Sequence, residues 1–263
     1  MALKMGTIPL QRGIIYGPVV SRRLGRSLGI NLLPDEIKVC SMNCRYCQYS
    51  WTGMLTADGK EPEAFLPSRK EVADAVESVF RELAGAGTPP DTVTFSGNGE
   101  ATLHPEFPAV VEDLMELKES FFPKCRSAAL SNSTTLGNQM VLDALLRLDD
   151  AIMKLDAGNE AMFRKLNGPA PGIRFGDVVA GLRRMGSKAV LQSMFVAGSV
   201  NNCSDEEVDA WLDIVSSIAP RGVQVFTLDR GPADSGLLPA SFEMLESIVE
   251  RLKRNGIDGE AFM

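Results

Sequence analysis

Three cysteines fall within eight residues, Cys40-Ser41-Met42-Asn43-Cys44-Arg45-Tyr46-Cys47, while the other two of the five, Cys125 and Cys203, stand alone far downstream. Three soft ligands on one short loop must face a common centre, so the fold has to bring that loop to the place where its metal is used. A cubane 4Fe-4S cluster usually takes four thiolates, one per iron, and three leave one iron open to another ligand. The spacing, three residues and then two, suits a loop wrapped around three corners of a cube. A tetrahedral zinc site more often shows two close Cys pairs, or a Cys pair and a His pair. Zinc here would need His104, the only histidine, or a distant Cys to complete it.

The 263 residues suffice for one large α/β unit, and α/β barrels take this length as a single domain. We expect one domain over 1–263, with 1–36 a lead-in segment that includes a possible first strand. Apolar residues make up 44% of the chain, enough to fill a sizeable core, and no unbroken apolar run has the length of a membrane span. Met1 to Val20 is interrupted by Pro9, Gln11 and Arg12 and does not read as a signal peptide. Cysteines wanted as thiolates point to a reducing cytoplasm rather than a disulfide framework. A net charge of -7 works against nucleic-acid binding, which draws on Lys and Arg. The local exception is Arg22, Arg23 and Arg26, which read either as an RNA contact patch or as a solvated segment.

Along the chain, Gly25 to Leu33 and Ile37 to Cys40 are β-leaning, and either could be the first barrel strand. Residues 51–67 read as loop. Ser68 and Glu71 have capping-box spacing before a helix over 69–84, as do Ser204 and Glu207 before one reaching Ile218. Strands are expected at 91–95, 127–130, 151–155, 188–196 and 223–228. Further helices are expected at 106–119, 138–148, 160–166, 175–185 and 241–254. Strands alternate with helices about six times, which argues for a parallel sheet with helices outside.

The polar motifs fall just after β runs, where barrels of this kind build their sites. The cysteine loop follows the first strand, Ser96-Gly97-Asn98-Gly99-Glu100 the second, Asn132 the third, Asp156 the fourth and Asp229 the sixth. Lys154 and Asp156, two apart, share a face. Asp156 could accept from ribose hydroxyls and Lys154 meet a carboxylate, or the two could simply pair. Of Gln192 and Ser193 in the fifth strand, one should face inward, although a strand hydroxyl bonded to its neighbour is an equal reading. His104 belongs to a helix start, and Cys125 and Cys203 read as isolated thiols.

Cys40, Cys44 and Cys47 in C-x-x-x-C-x-x-C, with Tyr46 before the last cysteine, resemble the cluster loop of the radical S-adenosylmethionine (SAM) superfamily. The resemblance implies an α/β fold, a partial (β/α)6 barrel of TIM type open on one side. It implies that SAM chelates the open iron through its amino and carboxylate groups, with the Tyr46 position packed near the adenine. It further implies reductive cleavage of SAM to a 5'-deoxyadenosyl radical that abstracts hydrogen from a substrate, and an electron donor such as flavodoxin or ferredoxin. Gly97 to Glu100 resemble the Gly-Gly-Glu segment that contacts the SAM amino group, with Asn98 inserted, so that Gly97, Asn98 or Gly99 could make the contact. Glu100 could bind SAM or substrate, or cap the next helix. The remaining strand-end residues, Asn132, Lys154, Asp156, Gln192 and Ser193, are candidates to hold SAM. Tyr16 to Asn31 and Phe226 to Arg230 resemble a group related to the wyosine-synthesis enzymes of tRNA, and the compact size is similar to glycyl-radical-enzyme activases. These resemblances leave the substrate open, with a protein or an RNA as candidates. A non-catalytic zinc or Fe-S module is the rival from another class.

Overall fold

A computed structural model describes residues 6–60 and 65–263. Part of the loop expected over 51–67 and the first five residues of the N-terminal reading lie outside the described residues. The chain runs β1 (Ile15–Ser21), β2 (Gly25–Ile30), β3 (Val39–Cys40), β4 (Met54–Leu55), α1 (Arg69–Gly85), β5 (Thr92–Phe95), α2 (Phe107–Phe121), β6 (Arg126–Ser131), α3 (Gln139–Leu146), β7 (Asp150–Lys154), α4 (Glu160–Asn167) and α5 (Phe175–Met185). It continues through β8 (Ala189–Met194), β9 (Val196–Gly198), α6 (Asp205–Ile218), β10 (Gly222–Phe226), β11 (Leu237–Pro239), α7 (Phe242–Arg254) and β12 (Gly259–Phe262).

Eight strands form one sheet in the order β1-β2-β5-β6-β7-β8-β10-β12. Only β1 is antiparallel to its neighbour; from β2 onward every pairing is parallel. Each parallel step needs a crossover, and the helices supply six of them. This is the expected partial-barrel architecture, with two strands beyond the expected set, β1 and β12. Gly25–Ile30 is the first parallel strand. Val39–Cys40 is not in the sheet at all but pairs with Met54–Leu55. The apolar run at 188–196 divides at Phe195, because β9 turns away to pair with β11.

In-register parallel pairing puts partnered residues on the same face of the sheet. One face carries Val93, Phe95, Ala129, Leu191 and Val225, each about 1% exposed or less. They pack against apolar stripes on the helices, including Phe80 of α1, Phe107 of α2, Leu182 of α5 and Trp211 of α6. The opposite, inner face carries Lys154, Gln192, Met194, Gln224, Phe226 and Phe262, all only half-buried.

The helix starts follow local chemistry. Ser68 accepts from Glu71 N–H, and Glu71 reaches back to Ser68 N–H at 2.8 Å, completing the capping box. Ser204 makes only its half, since Glu207 accepts from Asn159 Nδ2 at 2.9 Å instead. Ser68→Ala removes the Oγ bonds to Glu71 N–H and to the Glu71 carboxylate while the backbone half of the box stays, and is expected to cost about 1 kcal/mol, read as a lower urea midpoint at unchanged slope. No helix among the described residues is long and apolar enough to cross a membrane.

Candidate cluster and cofactor site

The cysteine loop is held at both ends by backbone. Val39, which precedes Cys40, lies beside Gly99 as an isolated parallel bridge: its N–H donates to Asn98 O at 3.0 Å and its carbonyl accepts from Glu100 N–H at 3.1 Å. The rest of the loop docks on the C-terminus of α4. Helix ends leave carbonyls without intrahelical partners. Here Asn43 N–H donates to Asn167 O and Gly168 O, both at 2.9 Å, and Arg45 N–H donates to Leu166 O at 3.0 Å. Arg45 Nε adds a bond to Lys165 O at 2.8 Å, and its Nη1 pairs with Asp234 at 2.9 Å. Gly168 ends the helix in the left-handed conformation, where a Cβ would stand 3.0 Å from Asn43 O. The loop is therefore fixed between the βα turn after β5 and the end of α4.

Two thiols have side-chain amide donors against them. Asn132 Nδ2 lies 3.5 Å from Cys40 Sγ, and Asn167 Nδ2 lies 3.5 Å from Cys44 Sγ. Cys47 is half-buried on the same turn, its N–H donating to Cys44 O at 3.1 Å. Burial, with Cys44 and Glu100 nearby, pushes the Cys40 thiol up to about 12; burial and then Asp156 push Cys44 up to about 11. Such thiols ionise only when a cation coordinates them, which is the task of a metal-bound thiolate. Three thiols on one loop, two of them facing N–H donors suited to thiolate sulfur, fit an iron-sulfur cluster.

Zinc fits less well. Among the described residues, no three His, Cys, Asp or Glu side chains are gathered as around one ion. Thiolates on separate irons of a cube stand farther apart than thiolates sharing one zinc at about 2.3 Å. His104 has backbone at both ring nitrogens: Nδ1 accepts from Glu106 N–H at 3.1 Å and Nε2 donates to Pro67 O at 2.8 Å. It closes the 3-10 turn Ala101–Leu103 just before α2, the helix-start role expected of it. Cys125 and Cys203 lie apart from the loop, their thiols against the carbonyls of Arg126 and Val196.

The turn after β5 is built for close approach. Gly97 and Gly99 have φ of +130° and +141°. Asn98, fully buried, has its peptide and side chain committed: N–H to Asn31 Oδ1 at 3.1 Å, Oδ1 accepting from Gln11 N–H at 2.7 Å, and Nδ2 donating to Gln11 O and Pro34 O. It ties the N-terminal segment to the cysteine strand, and the missing Cβ atoms of Gly97 and Gly99 leave room for the close approach of Asn31 and of the Val39 carbonyl. Glu100 caps the 3-10 turn through Thr102 and also accepts from Asn132 N–H at 2.6 Å. Burial pushes its carboxyl above the usual range even though these donors oppose it. The capping reading of Glu100 is therefore the one with contacts behind it. Asn132 also donates to Ser41 Oγ at 2.8 Å, joining the turn after β6 to the loop.

Asp156, 4% exposed, is the node between the loop and the sheet. Its Oδ1 accepts from Met194 N–H at 2.8 Å and pairs with Lys154 Nζ at 3.0 Å; its Oδ2 accepts from Tyr46 OH and from Asn167 Nδ2 at 2.7 Å. Lys154 Nζ also lies 4.9 Å from the centre of the Tyr46 ring. Of the two readings for Lys154 and Asp156, the mutual pair is what the structure contains, with Tyr46 bound into it. Asp156→Asn is expected to cost about 2–3 kcal/mol, because an amide N–H2 replaces an acceptor among donors and leaves Lys154 without counter-charge. A urea titration of the apo protein measures it.

Gln192 and Ser193 separate cleanly. Ser193 faces the helices, donating to Leu155 O at 2.5 Å and accepting from Trp211 Nε1 at 3.2 Å, so it is the strand hydroxyl bonded to its neighbours. Gln192 takes the inner face, in register with Lys154 and Gln224. Asn167 was not among the expected site residues. It lies on the buried stripe of α4 with Met162, Phe163 and Leu166, and a polar residue on that stripe was the available signal. Its Oδ1 has no protein partner, and it lines, with Met42, Lys154 and Asp156, a cavity of about 10 Å³, roughly one water in size. Arg22, Arg23 and Arg26 do not share one outward patch: Arg22 faces Asp229 at 3.8 Å, Arg23 turns onto the inner face and Arg26 is exposed.

Residues 37–213 match the model of the Radical SAM superfamily. A Brachyspira hyodysenteriae protein named GTPase Obg is 30% identical over 249 residues, which are 92% of this chain and 34% of that protein. The chain thus spans about a third of the length of that relative. A UPF0026 protein of Methanocaldococcus jannaschii is 26% identical over 239 residues, 90% of this chain and 70% of its own. The crystal structure of a radical SAM methyltransferase from Sphaerobacter thermophilus has the same fold, with a TM-score of 0.65 over 90% of this chain and 65% of that one, at 16% identity. The loop that the sheet holds at its C-terminal end and the family match over two thirds of the length agree, and the chain belongs to the Radical SAM superfamily as an enzyme of that kind.

Proposed function

We propose that Cys40, Cys44 and Cys47 hold a 4Fe-4S cluster whose fourth iron takes SAM, in one domain spanning the chain. The observation that carries the reading is the cysteine loop fixed between the Gly97–Gly99 turn and the end of α4, with Asn132 and Asn167 directed at two of its sulfurs. When bound, the cluster supplies the electron that cleaves SAM reductively to a 5'-deoxyadenosyl radical, which takes hydrogen from the substrate. The protein's own part is positional. Gly97 and Gly99 allow backbone to approach SAM, Asp156 holds Tyr46 and Lys154 at the loop, and the inner face orients the substrate.

The compartment is the cytoplasm, and a flavodoxin or ferredoxin delivers the electron. The substrate is large, a protein or RNA segment laid over the half-exposed inner face. An RNA substrate of the wyosine type would depend on Arg22 and Arg26 and bind less tightly as salt rises; a peptide, as for a glycyl-radical-enzyme activase, would not. Anaerobic reconstitution followed by electron paramagnetic resonance tests the open iron. SAM is expected to change the signal of the reduced cluster. An unchanged signal, or zinc in place of iron in the purified protein, sinks the reading in favour of a non-catalytic metal module.

A further inference from the structure

The inner face of the sheet holds one buried donor without an acceptor, and a cation without an acidic partner among the described residues reaches the same row. Gln192 Nε2 is buried with no hydrogen-bond partner. It lies between Lys154 and Gln224 in one row across β7, β8 and β10, on strands about 4.8 Å apart. Lys154 is already committed to Asp156 and Tyr46. Gln224 Oε1 accepts from Arg23 Nη1 at 2.8 Å.

Arg23 reaches this row from the turn between β1 and β2, across the open side of the barrel. Its guanidinium lies 4.5 Å from the centre of the Phe226 ring and 5.9 Å from that of Phe262, two rings stacked at 5.0 Å and 10°. No ion pair involves Arg23 among the described residues. The nearby Asp229 faces Arg22, and Glu260, next in the row on β12, is exposed and not paired with Arg23. Burial, then Arg22, bring the guanidinium down to about 10, so it remains a cation at neutral pH. The bond to Gln224 uses one of the five guanidinium N–H donors and leaves the others for water or a ligand, and the orphan amide of Gln192 lies one strand beyond Gln224. Surface tethering explains one bond to Gln224; it does not explain the empty-handed amide one strand away.

We propose that Arg23 and Gln192 form a subsite for an anionic group of the substrate, a carboxylate or a phosphate. The inference rests on the reading of the inner face as the substrate side. The planar fork of Arg23 suits bidentate contact with either group, and the two phenyl rings fix its plane. Gln192 adds one directed N–H, and Phe226 and Met194 supply apolar walls around it.

The test is calorimetric titration of the reconstituted, SAM-loaded protein with inorganic phosphate and, separately, with acetate, using acetamide as the neutral probe. The expected result is saturable binding of one anion and none of acetamide. Phosphate alone points to a phosphorylated substrate or nucleic acid, and acetate to a carboxylate. Arg23→Gln is expected to weaken binding at least about tenfold and Gln192→Leu several-fold, while Arg254→Gln, exposed on α7, leaves it unchanged. Gln192→Leu keeps the test valid if Arg23→Gln fails to fold, because no side-chain bond is lost and its urea midpoint should not fall. Binding of neither anion, or equal binding by wild type and Gln192→Leu, overturns the subsite. Since cluster loading and the SAM-induced spectral change are recorded on the same sample, their loss identifies a failure of the broader reading instead.

Discussion

Cys40→Ala, Cys44→Ala and Cys47→Ala are each expected to drop the iron content of the reconstituted protein from about four per chain to below about one. With two thiolates left, two irons of the cube lack a protein ligand, and the amide donors of Asn132 and Asn167 then face only one retained sulfur or, in the Cys47 variant, two. SAM cleavage should fall below detection in all three. Cys125→Ala and Cys203→Ala are the controls, since their thiols meet backbone carbonyls away from the loop and both variants should load iron normally. Iron assay with visible absorbance reads the result. A Cys125 or Cys203 variant that loses iron would show that the loop is not the sole ligand source.

Gly99→Ala should be the most damaging single methyl in the protein. At φ +141° an L side chain is strained before any contact is counted, and its Cβ would land 1.6 Å from Val39 O. That carbonyl is backbone and already accepts from Glu100 N–H, so it can yield only if the bridge between the βα turn and the cysteine strand opens. The expected loss is at least about 4 kcal/mol, from conformational strain plus the broken bridge. Gly97→Ala should cost less, about 2–3 kcal/mol, because its Cβ meets the side chain of Asn31, whose shift loosens the bond to Asn98 N–H but opens no backbone bridge. Gly137→Ala, with nothing within 4 Å, should change stability by about 0.5 kcal/mol or less. Urea denaturation of the apo proteins orders the three. A Gly99 variant as stable as Gly137→Ala would mean that the close approach to Val39 is not there.

The elements with strong local chemistry were legible in the sequence. Ser68 and Glu71 start α1 as their spacing implies, and the apolar period of α1, α2 and α6 needs no tertiary information. The two edge strands were not. β12 is four residues, Gly259–Phe262, and β1 is mostly exposed, so neither has the buried alternation that marks an inner strand. Val39–Cys40 looks like a strand for its apolar content, but its partners, Met54–Leu55 and Gly99, are set by the loop and the turn after β5.

At the site, the spacing of Cys40, Cys44 and Cys47 carries the chemistry in one dimension. What the spacing cannot carry is which side chains meet across the fold. Period two says that only one of Gln192 and Ser193 faces inward, and Trp211, eighteen residues on, decides that it is Gln192. Asn98 looked like a ligand contact and is a tie between segments 87 residues apart. Asn167 reaches Cys44 and Asp156 only because the loop docks on the end of α4, which no local pattern announces. Arg23 reads as part of a basic patch and turns instead onto the rings of Phe226 and Phe262, 200 and more residues away in sequence.

The most direct test of the central claim, that this loop holds a cluster with an open iron that cleaves SAM, is an anaerobic assay for 5'-deoxyadenosine by mass spectrometry. Wild type and Cys44→Ala are reconstituted with iron and sulfide, reduced, and given SAM. The expected result is nucleoside from the wild type, none without reductant, and none from Cys44→Ala. A wild-type protein that carries the reduced cluster and binds SAM, yet forms no 5'-deoxyadenosine over background with or without candidate substrates, would contradict it.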